Sequence, residues 1–352
     1  MLREKDLFLP SGYANMAGIM SIPASFVICI GGRGTGKTFG ALQHLTSSGD
    51  RWIYIRRTKT QLEMIDNPEF SPFNALNREC GTDFIPARIT KGMTGIYHSR
   101  TETTKDGLEI VKPDGSPVGY LAALTSFSAV RGFDAYSIKT IVYDEFIKEP
   151  HEKIIKGEGD ALLNAYETIN RNREFDGADP LKLVMLSNSV DLGNPYFVTM
   201  GIVTEWEQML KKRQRIRLNR DRGICLIDLS DSPISQRKKT TSLYKMTHGT
   251  DFYKMSVEND FGVNEDLYRS RSLTEYKPVL TIGELTLYKH KSQQRYYCSP
   301  HKSGSPRSYG TSTAELTRFR ALEKWVVRAY VSRLIDFETY YTEILLTEYL
   351  KI

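Results

Sequence analysis

The sequence predicts an α/β fold in which a largely parallel sheet is flanked by helices and followed by a smaller α+β domain. Over the first two thirds of the chain, short apolar runs rich in β-branched residues alternate with helical stretches. This alternation is typical of parallel strands joined by crossover helices. The length of 352 residues, at roughly 150 residues per domain, predicts two domains.

The apolar runs locate the main sheet. Between residues 83 and 119 the alternation is interrupted by glycines and by a Pro-Asp-Gly sequence at 113–115, which predicts an inserted hairpin or meander. We predict the strands of the main sheet at residues 26–30, 52–55, 120–125, 140–143 and 181–186.

Changes in composition predict three segments. A main α/β domain is expected over residues 1–230, a polar linker or lid with a helical element of its own over 231–264, and a C-terminal α+β domain over 265–352. The linker contains a short basic run, 237–239.

The C-terminal segment combines predicted strands with a predicted helical tract. Residues 278–288 and 294–298 have the composition of strands. The tract from 311 to the C-terminus lacks Gly and Pro, and Ser312 and Glu315 have the spacing of a capping box. We therefore expect it to be helical from that point.

The composition excludes a membrane-spanning protein and a disulfide framework. Its longest apolar runs are about five residues, far below the ~20 needed to span a bilayer. The first ten residues lack the apolar segment of a secretory signal. The four cysteines form no Cys-x-x-Cys pair, so we expect an intracellular protein with reduced thiols.

Positive charge is concentrated in a few stretches. The chain has 48 basic and 42 acidic residues, a net charge of +6. Basic residues dominate 211–222 and 286–308, and each run is consistent either with a polyanion contact or with a solvated surface. The candidates for contacting nucleic-acid phosphates are the run at 211–222, the run at 237–239 and the insertion around Lys91 and Arg100, while the run at 286–308 is a candidate for holding nucleic acid or an acidic partner.

A glycine-rich loop between the first predicted strand and a predicted helix matches the pattern GxxxxGK[ST]. Its backbone N–H groups are expected to cradle the phosphates of a nucleotide, helped by the positive end of the following helix. Lys37 would contact phosphate oxygens and Thr38 would bind Mg²⁺. The candidate cofactor-binding residues of this loop are Gly31, Gly32, Arg33, Gly34, Thr35, Gly36, Lys37 and Thr38.

Adjacent carboxylates end the predicted strand at 140–143. At the carboxyl end of a parallel sheet both reach the nucleotide crevice. Asp144 is the expected Mg²⁺ ligand, and Glu145 is the expected general base that activates water for attack on the γ-phosphate. Asn188, at the end of the strand over 181–186, is placed to contact the γ-phosphate or its water.

Hydrolysis of a triphosphate also requires a cation that neutralises transition-state charge. For any single arginine, a surface ion pair is at least as good an explanation as catalysis. The candidates are Arg33, Arg56, Arg57, Arg131, Arg171 and Arg173.

Together these residues resemble the DNA-packaging motor ATPases of phi29-like phages, which are related to large terminase ATPases. The similarity covers roughly residues 20–262 and weakens after that. Apart from the glycine-rich loop, it rests on strings that occur in the same order in the family, at 53–57, 140–147, 161–164, 171–174, 186–188 and 194–197.

The resemblance implies an ASCE-type P-loop ATPase that binds ATP and Mg²⁺ and forms a homo-oligomeric ring, with five copies expected. Such a ring would act in the host cytoplasm, transiently at the capsid portal, and drive double-stranded viral DNA into a preformed capsid. Some members dock through a packaging RNA, which this sequence leaves open.

By position, several arginines match family residues. Arg171 matches the arginine that acts in trans, Arg33 matches the loop arginine, and Arg56 falls among the nucleotide-binding residues. Arg131 lies in a string, 129–132, that is similar to one in large terminases and implies a nucleotide or DNA sensor.

For the C-terminal domain the resemblance implies a vestigial RNase H-like nuclease. Two-metal cleavage needs about three converging acids, yet the expected first strand at 278–288 contains only Glu284, and residues 267–335 contain no aspartate. Three alternatives remain at this stage: a large terminase with an active headful nuclease, a P-loop kinase of a small metabolite, and a nucleic-acid-binding scaffold that nucleotide only stabilises.

Overall fold

The computed structural model describes residues 2–130, 135–148, 152, 155, 157–188, 192–250, 271–300 and 304–352. The chain divides into two compact units, Met1–Phe261 and Gly262–Ile352. No helix among the described residues is long and apolar enough to cross a bilayer.

The first unit is built around a nine-stranded sheet with the order β3-β4-β5-β2-β6-β7-β1-β9-β8. Six neighbouring strands of this sheet run parallel to one another, namely β5, β2, β6, β7, β1 and β9. This confirms the predicted largely parallel sheet. The strands are β1 Phe26–Ile30, β2 Arg51–Arg56, β3 Phe84–Thr90, β4 Met93–Thr103, β5 Glu109–Ala123, β6 Ile138–Asp144, β7 Lys182–Ser187, β8 Ile216–Asn219 and β9 Ile224–Asp228.

Helices flank this sheet and connect most of its parallel strands. The helix predicted after the glycine-rich loop begins at Lys37, and two short helices follow β9 inside the segment predicted as a linker. The helices are α1 Met16–Met20, α2 Lys37–Ser47, α3 Lys59–Ile65, α4 Phe73–Cys80, α5 Glu158–Asn170, α6 Pro195–Met200, α7 Val203–Lys211, α8 Pro233–Lys238 and α9 Ser242–Met246.

The central strands are buried because both faces of the sheet are covered. Four of the five residues of β1 and five of the six residues of β7 are buried, as expected of strands with helices on both sides. Ile30 at the end of β1 pairs with Ser187 of β7 and Asp228 of β9. The carboxyl ends of these strands therefore meet at one edge, where the loops that follow them share a crevice.

The predicted insertion is confirmed as an antiparallel extension of one sheet edge. β3 pairs with β4 and β4 with β5. The 15 residues of β5 begin exposed and end buried, so the strand projects from the sheet at its start and joins the core at its end. The salt bridge between Lys112 and Glu102, with Nζ 2.5 Å from Oε2, links the two exposed strands.

The opposite edge of the sheet differs from the sequence interpretation. The basic run at 211–222 was predicted as a polyanion contact or a solvated surface and not as a strand, yet it contains β8, which pairs antiparallel with β9. Its arginines alternate with Ile216 and Leu218, which pack against the main core. The high charge masked this period-two pattern.

The second unit has a five-stranded sheet with the order β13-β10-β11-β12-β14. β10, β11 and β12 form an antiparallel meander, while β13 is parallel to β10 and β14 is parallel to β12. Its elements are β10 Tyr276–Ile282, β11 Leu285–His290, β12 Tyr296–Ser299, β13 Ser308–Tyr309, α10 Thr313–Leu322, α11 Lys324–Val331, β14 Ile335–Phe337 and α12 Tyr340–Leu350.

Two details of the C-terminal prediction were wrong. The single strand expected at 278–288 is a hairpin, because the chain reverses at Gly283, which has φ +54°. Glu284 consequently lies in the turn and not in mid-strand. The helical tract from 312 begins as predicted, with the Ser312 hydroxyl accepting from Glu315 N–H, but β14 interrupts it because Ile335 and Phe337 are buried beside β12.

Candidate active site

The glycine-rich loop connects β1 to α2 at the carboxyl edge of the sheet. Gly34 and Gly36 have φ values of +68° and +86°, a conformation that favours glycine. A Cβ on Gly31 would lie 2.5 Å from the Leu229 Cβ. These glycines thus let the backbone turn tightly at the start of α2, where N–H groups and the helix dipole favour an anion.

Lys37 is buried inside this loop and is bonded to the loop's own acceptors. Its Nζ donates to Gly31 O at 2.5 Å, Gly32 O at 3.0 Å and Thr35 Oγ1 at 3.2 Å. Burial lowers the pKa of Lys37 to about 8, and the Asp144 carboxylate acts in the opposite direction. An anion that accepts bonds from this ammonium would replace weak neutral acceptors with charged ones.

Asn188 joins the same group from the end of β7. Its Oδ1 accepts from Lys37 Nζ at 3.1 Å, and the preceding residue, Ser187, accepts from Gly31 N–H at 3.2 Å through its carbonyl oxygen. The end of β7 that the sequence analysis identified therefore contacts the glycine-rich loop directly.

Asp144 lies at the end of β6 and accepts two short hydrogen bonds through one oxygen. Thr38 Oγ1 and Tyr54 OH each donate to Asp144 Oδ2 at 2.6 Å. Hydroxyl and carboxylate oxygens are ligands that Mg²⁺ accepts, and Mg²⁺ is usually held by one or two carboxylates together with substrate phosphates. Thr38 and Asp144 fit that ion. Among the described residues, no group of three or more His, Cys, Asp or Glu side chains is placed to hold a metal ion.

Tyr54 is a site residue that the sequence analysis missed. It lies on β2, is fully buried, and is 90 positions from Asp144. Burial, followed by the nearby Asp144 carboxylate, raises the pKa of Tyr54 well above its usual value. The phenol therefore remains protonated and donates to Asp144.

Glu145 follows β6 in a left-handed backbone conformation with φ +54°. Its N–H donates to Asp144 Oδ1 at 2.9 Å, and its side chain is nearly half exposed, at 45%. Arg56, at the end of β2, lies with Nη1 2.5 Å from Glu145 Oε2 and Nη2 3.8 Å from Asp144 Oδ2. Burial acts to lower the pKa of Arg56, but Tyr54, Asp144 and Glu145 raise it above its usual value.

The structure thus brings six predicted site residues to one crevice, namely Lys37, Thr38, Arg56, Asp144, Glu145 and Asn188. Arg33 lies exposed at the apex of the loop, where its carbonyl oxygen accepts from Lys238 Nζ at the end of α8. The sequence analysis placed Lys238 in the basic run 237–239, a candidate for contacting DNA phosphates. It did not predict that Lys238 contacts the glycine-rich loop.

The other arginine candidates differ sharply in environment. Arg173 is buried, and its guanidinium donates to the carbonyl oxygens of Ile138 at 2.7 Å, Ala135 at 3.2 Å and Ile169 at 3.2 Å. Arg57 is buried against Glu158 with Nε 2.8 Å from Oε2. Both therefore stabilise the fold. The candidate at position 131 lies outside the described residues.

Arg171 is exposed and lies at the far edge of the sheet. It caps α5 with φ +47°, two positions before Arg173, which bonds to Ile138 at the first position of β6. The seven residues of β6, at about 3.3 Å each, separate this edge from Asp144 by about 20 Å. Arg171 therefore does not reach the crevice of its own chain.

Comparisons with known proteins agree with these features. A family model described as podovirus DNA encapsidation protein (Gp16) matches residues 109–289, about half of the chain. The DNA packaging protein of Bacillus phage B103 is 28% identical over 259 residues, covering 72% of this chain and 69% of that protein. The DNA packaging protein of Bacillus phage phi29 is 26% identical over 285 residues, covering 79% and 73%.

A solved structure shares the fold. The bacteriophage phi29 viral genome packaging motor assembly contains a chain that matches 96% of this chain and 98% of its own length, with a TM-score of 0.64 and 19% sequence identity.

Proposed function

The chain belongs to the podovirus DNA encapsidation protein (Gp16) family, and we propose that it hydrolyses ATP to drive double-stranded viral DNA into a preformed capsid. The observation that carries the hydrolase assignment is the convergence of Lys37, Thr38, Asp144 and Glu145 at one sheet edge. The curated relatives, both named DNA packaging proteins, support the assignment to packaging.

The sheet order supports the ASCE class of P-loop ATPase. β7 lies between β1, which carries the phosphate loop, and β6, which carries the two acids. A glutamate directly after the Mg²⁺ aspartate supplies a general base, whereas a small-molecule kinase transfers phosphate to a substrate hydroxyl and needs no base for water. No observation favours the kinase alternative.

The side chains suggest how the site works. Lys37 exchanges the carbonyls of Gly31 and Gly32 for phosphate oxygens, while Thr38 and Asp144 hold Mg²⁺. That ion, when bound, neutralises charge on the phosphates. Glu145 accepts a proton from the attacking water, which requires its carboxylate to leave Arg56. Asn188, next to Lys37, is placed to orient the water or the γ-phosphate.

Arg171 completes the site from a neighbouring copy. Because it lies about 20 Å from the acids of its own chain, its catalytic contribution requires a ring in which this edge faces the crevice of the next subunit. The proposed ring has five copies and docks on the portal of the capsid. The shared fold with a chain of a packaging motor assembly is consistent with such a ring.

The C-terminal unit is proposed to be a vestigial RNase H-like domain. An antiparallel meander with a further strand parallel to its first strand is consistent with that fold. β10, the expected first strand, contains no acid. Asp336 is paired with Arg295 at 2.6 Å and Arg271 at 3.1 Å, so its charge is already compensated without a metal. The active nuclease of a large terminase is therefore not proposed.

An ATPase assay with and without linear double-stranded DNA tests the proposal. The full-length chain with Mg²⁺ should release inorganic phosphate from ATP, and DNA should raise the rate severalfold. This stimulation should fall steeply as salt increases, because contacts to the DNA backbone release counterions. Absence of ATP hydrolysis under all conditions would overturn the assignment, and hydrolysis indifferent to DNA would overturn the motor function.

A further inference from the structure

Helix α8 ends directly on the phosphate-binding loop. Lys238, its last residue, donates from Nζ to the carbonyl oxygen of Arg33, and its ammonium lies where a Cβ on Gly34 would project. Lys238 is half-buried, and burial lowers its pKa. A lysine from outside the GxxxxGK[ST] pattern thus reaches the apex of the loop.

The backbone around α8 fixes this position. The chain leaves β9 beside β1, and Leu229 N–H donates to Ile30 O at 2.6 Å. The Ser232 hydroxyl then caps α8 by accepting from Ser235 N–H at 3.2 Å, and Pro233 at the first helical position packs against Gly12. The helix is therefore anchored at its start, and its last residue points back to the loop.

Three consecutive carbonyls of the loop hold two ammonium groups. Lys37 bonds to Gly31 O and Gly32 O, and Lys238 bonds to Arg33 O. Neutral carbonyls are weaker acceptors for an ammonium than phosphate oxygens are. In this motif Lys37 is the residue that exchanges such carbonyls for phosphate oxygens. Lys238 is bonded in the same way to the next carbonyl of the loop, that of Arg33.

The electrostatics of the crevice favour an anion between the two lysines. The two ammonium groups are bonded to the adjacent carbonyls of Gly32 and Arg33, so the two positive charges lie close together and repel each other. A triphosphate in the cradle would relieve this repulsion and give both ammonium groups a charged acceptor. Nucleic-acid phosphates would have to enter the nucleotide crevice to reach the same position.

We propose that Lys238 is a second phosphate-binding lysine, which contacts the phosphates of bound ATP and does not contact DNA. This assignment rests on the proposed ATPase function and adds to it a residue from the segment after β9. Movement of α8 would then respond to nucleotide occupancy, because its terminal side chain changes partner when the triphosphate binds.

Equilibrium binding of a fluorescent ATP analogue tests the assignment. Lys238→Ala should weaken binding about tenfold, the loss expected for one charge-assisted hydrogen bond. Lys238→Arg should restore most of the affinity, while Lys245→Ala, an exposed lysine on α9, should match the wild type. Binding of Lys238→Ala to double-stranded DNA, measured by anisotropy without nucleotide, should equal that of the wild type.

The outcomes separate this assignment from the proposed function. Wild-type affinity for the analogue in Lys238→Ala would overturn the assignment and leave the ATPase intact. Loss of DNA binding with unchanged nucleotide affinity would assign Lys238 to DNA and also overturn it. Failure of the wild type itself to bind the analogue would overturn both. Thermal denaturation of Lys238→Ala and Lys238→Arg checks that both variants fold.

Discussion

Arg56 holds Glu145 in an ion pair, with Nη1 2.5 Å from Oε2, although Arg56 ends β2 and Glu145 follows β6. β2 and β6 are neighbours in the sheet, so their carboxyl ends place both side chains in the crevice. While Arg56 is bonded to it, Glu145 Oε2 is not available to an attacking water. The pair therefore keeps the proposed general base occupied until nucleotide, or a neighbouring subunit, changes the position of Arg56.

Glu145→Gln is expected to bind ATP and not to turn it over. Glutamine has nearly the same shape but no longer accepts a proton, and loss of a general base typically lowers a rate by 10²–10⁴-fold. Nucleotide affinity should stay within about threefold of wild type, because Lys37 and Thr38 are unchanged. Phosphate release and binding of a fluorescent ATP analogue provide the two readouts. Substantial residual turnover would remove Glu145 from its assigned role.

Tyr54→Phe is expected to raise the Mg²⁺ concentration needed for half-maximal ATPase activity by about tenfold, since partners that orient a metal ligand contribute 10–100-fold in affinity. The variant removes only the hydroxyl that donates to Asp144 Oδ2. Tyr143→Phe is a matched control, because that buried hydroxyl bonds to Tyr196 at 2.5 Å and not to the site. A Mg²⁺ titration identical in Tyr54→Phe and wild type would show that Tyr54 does not position Asp144.

The sequence predicted those site residues that can be recognised from their immediate neighbours in the chain. The loop from Gly31 to Thr38 is contiguous, and its glycines and lysine identify it without knowledge of the fold. Asp144 and Glu145 follow an apolar strand, so both the element and its end can be recognised. Asn188 was found by the same argument from the end of β7.

The parts that the sequence did not predict depend on long-range contacts. Tyr54 looks like any other aromatic residue of a buried strand until β2 and β6 are known to be neighbours. Lys238 is 205 positions from Arg33, and only the pairing of β9 with β1 brings α8 to the loop. β14 is hidden in a helix-forming tract because packing against β12 outweighs the local preference.

A plasmid incubated with the full-length chain and Mn²⁺ is expected to remain supercoiled. Two-metal cleavage needs several carboxylates around one point. In the described part of the C-terminal unit, Glu284 lies at a turn, and buried Glu323 accepts two hydrogen bonds of 2.8 Å from Arg307. Gel electrophoresis after long incubation is the measurement. Nicking that persists after mutation of Lys37 would reveal a nuclease in this chain.

Arg173→Ala is expected to lower the free energy of unfolding by about 3 kcal/mol, because it removes a buried guanidinium that donates to several backbone carbonyl oxygens. Those of Ile138, Ala135 and Ile169 each lose the guanidinium. Urea denaturation followed by tryptophan fluorescence measures the change. Arg171→Ala, two positions away and exposed, should alter stability by no more than about 0.5 kcal/mol. Equal stability of the two variants would contradict the structural role of Arg173.

Arg171→Ala is expected to lower DNA-stimulated ATPase activity by 10³-fold or more, the scale seen when an arginine that acts on a neighbouring site is lost. Nucleotide binding by an isolated chain should not change, because Arg171 lies at the opposite edge of the sheet from Lys37.

Mixing Arg171→Ala with wild type at several ratios shows whether the sites of one ring are coupled. Each crevice is completed only where its neighbour carries the arginine, so the fraction of completed sites equals the wild-type fraction. Activity should fall below the weighted average of the two pure proteins only where the subunits of one ring must act in sequence. Mixing Glu145→Gln chains with Arg171→Ala chains provides a complementary control. The Arg171→Ala chain retains Glu145, and the Glu145→Gln chain retains Arg171. Mixed rings should therefore regain activity at interfaces where these two intact residues meet. No regained activity in mixtures of Glu145→Gln and Arg171→Ala chains would place Arg171 outside the catalytic site of the neighbouring subunit.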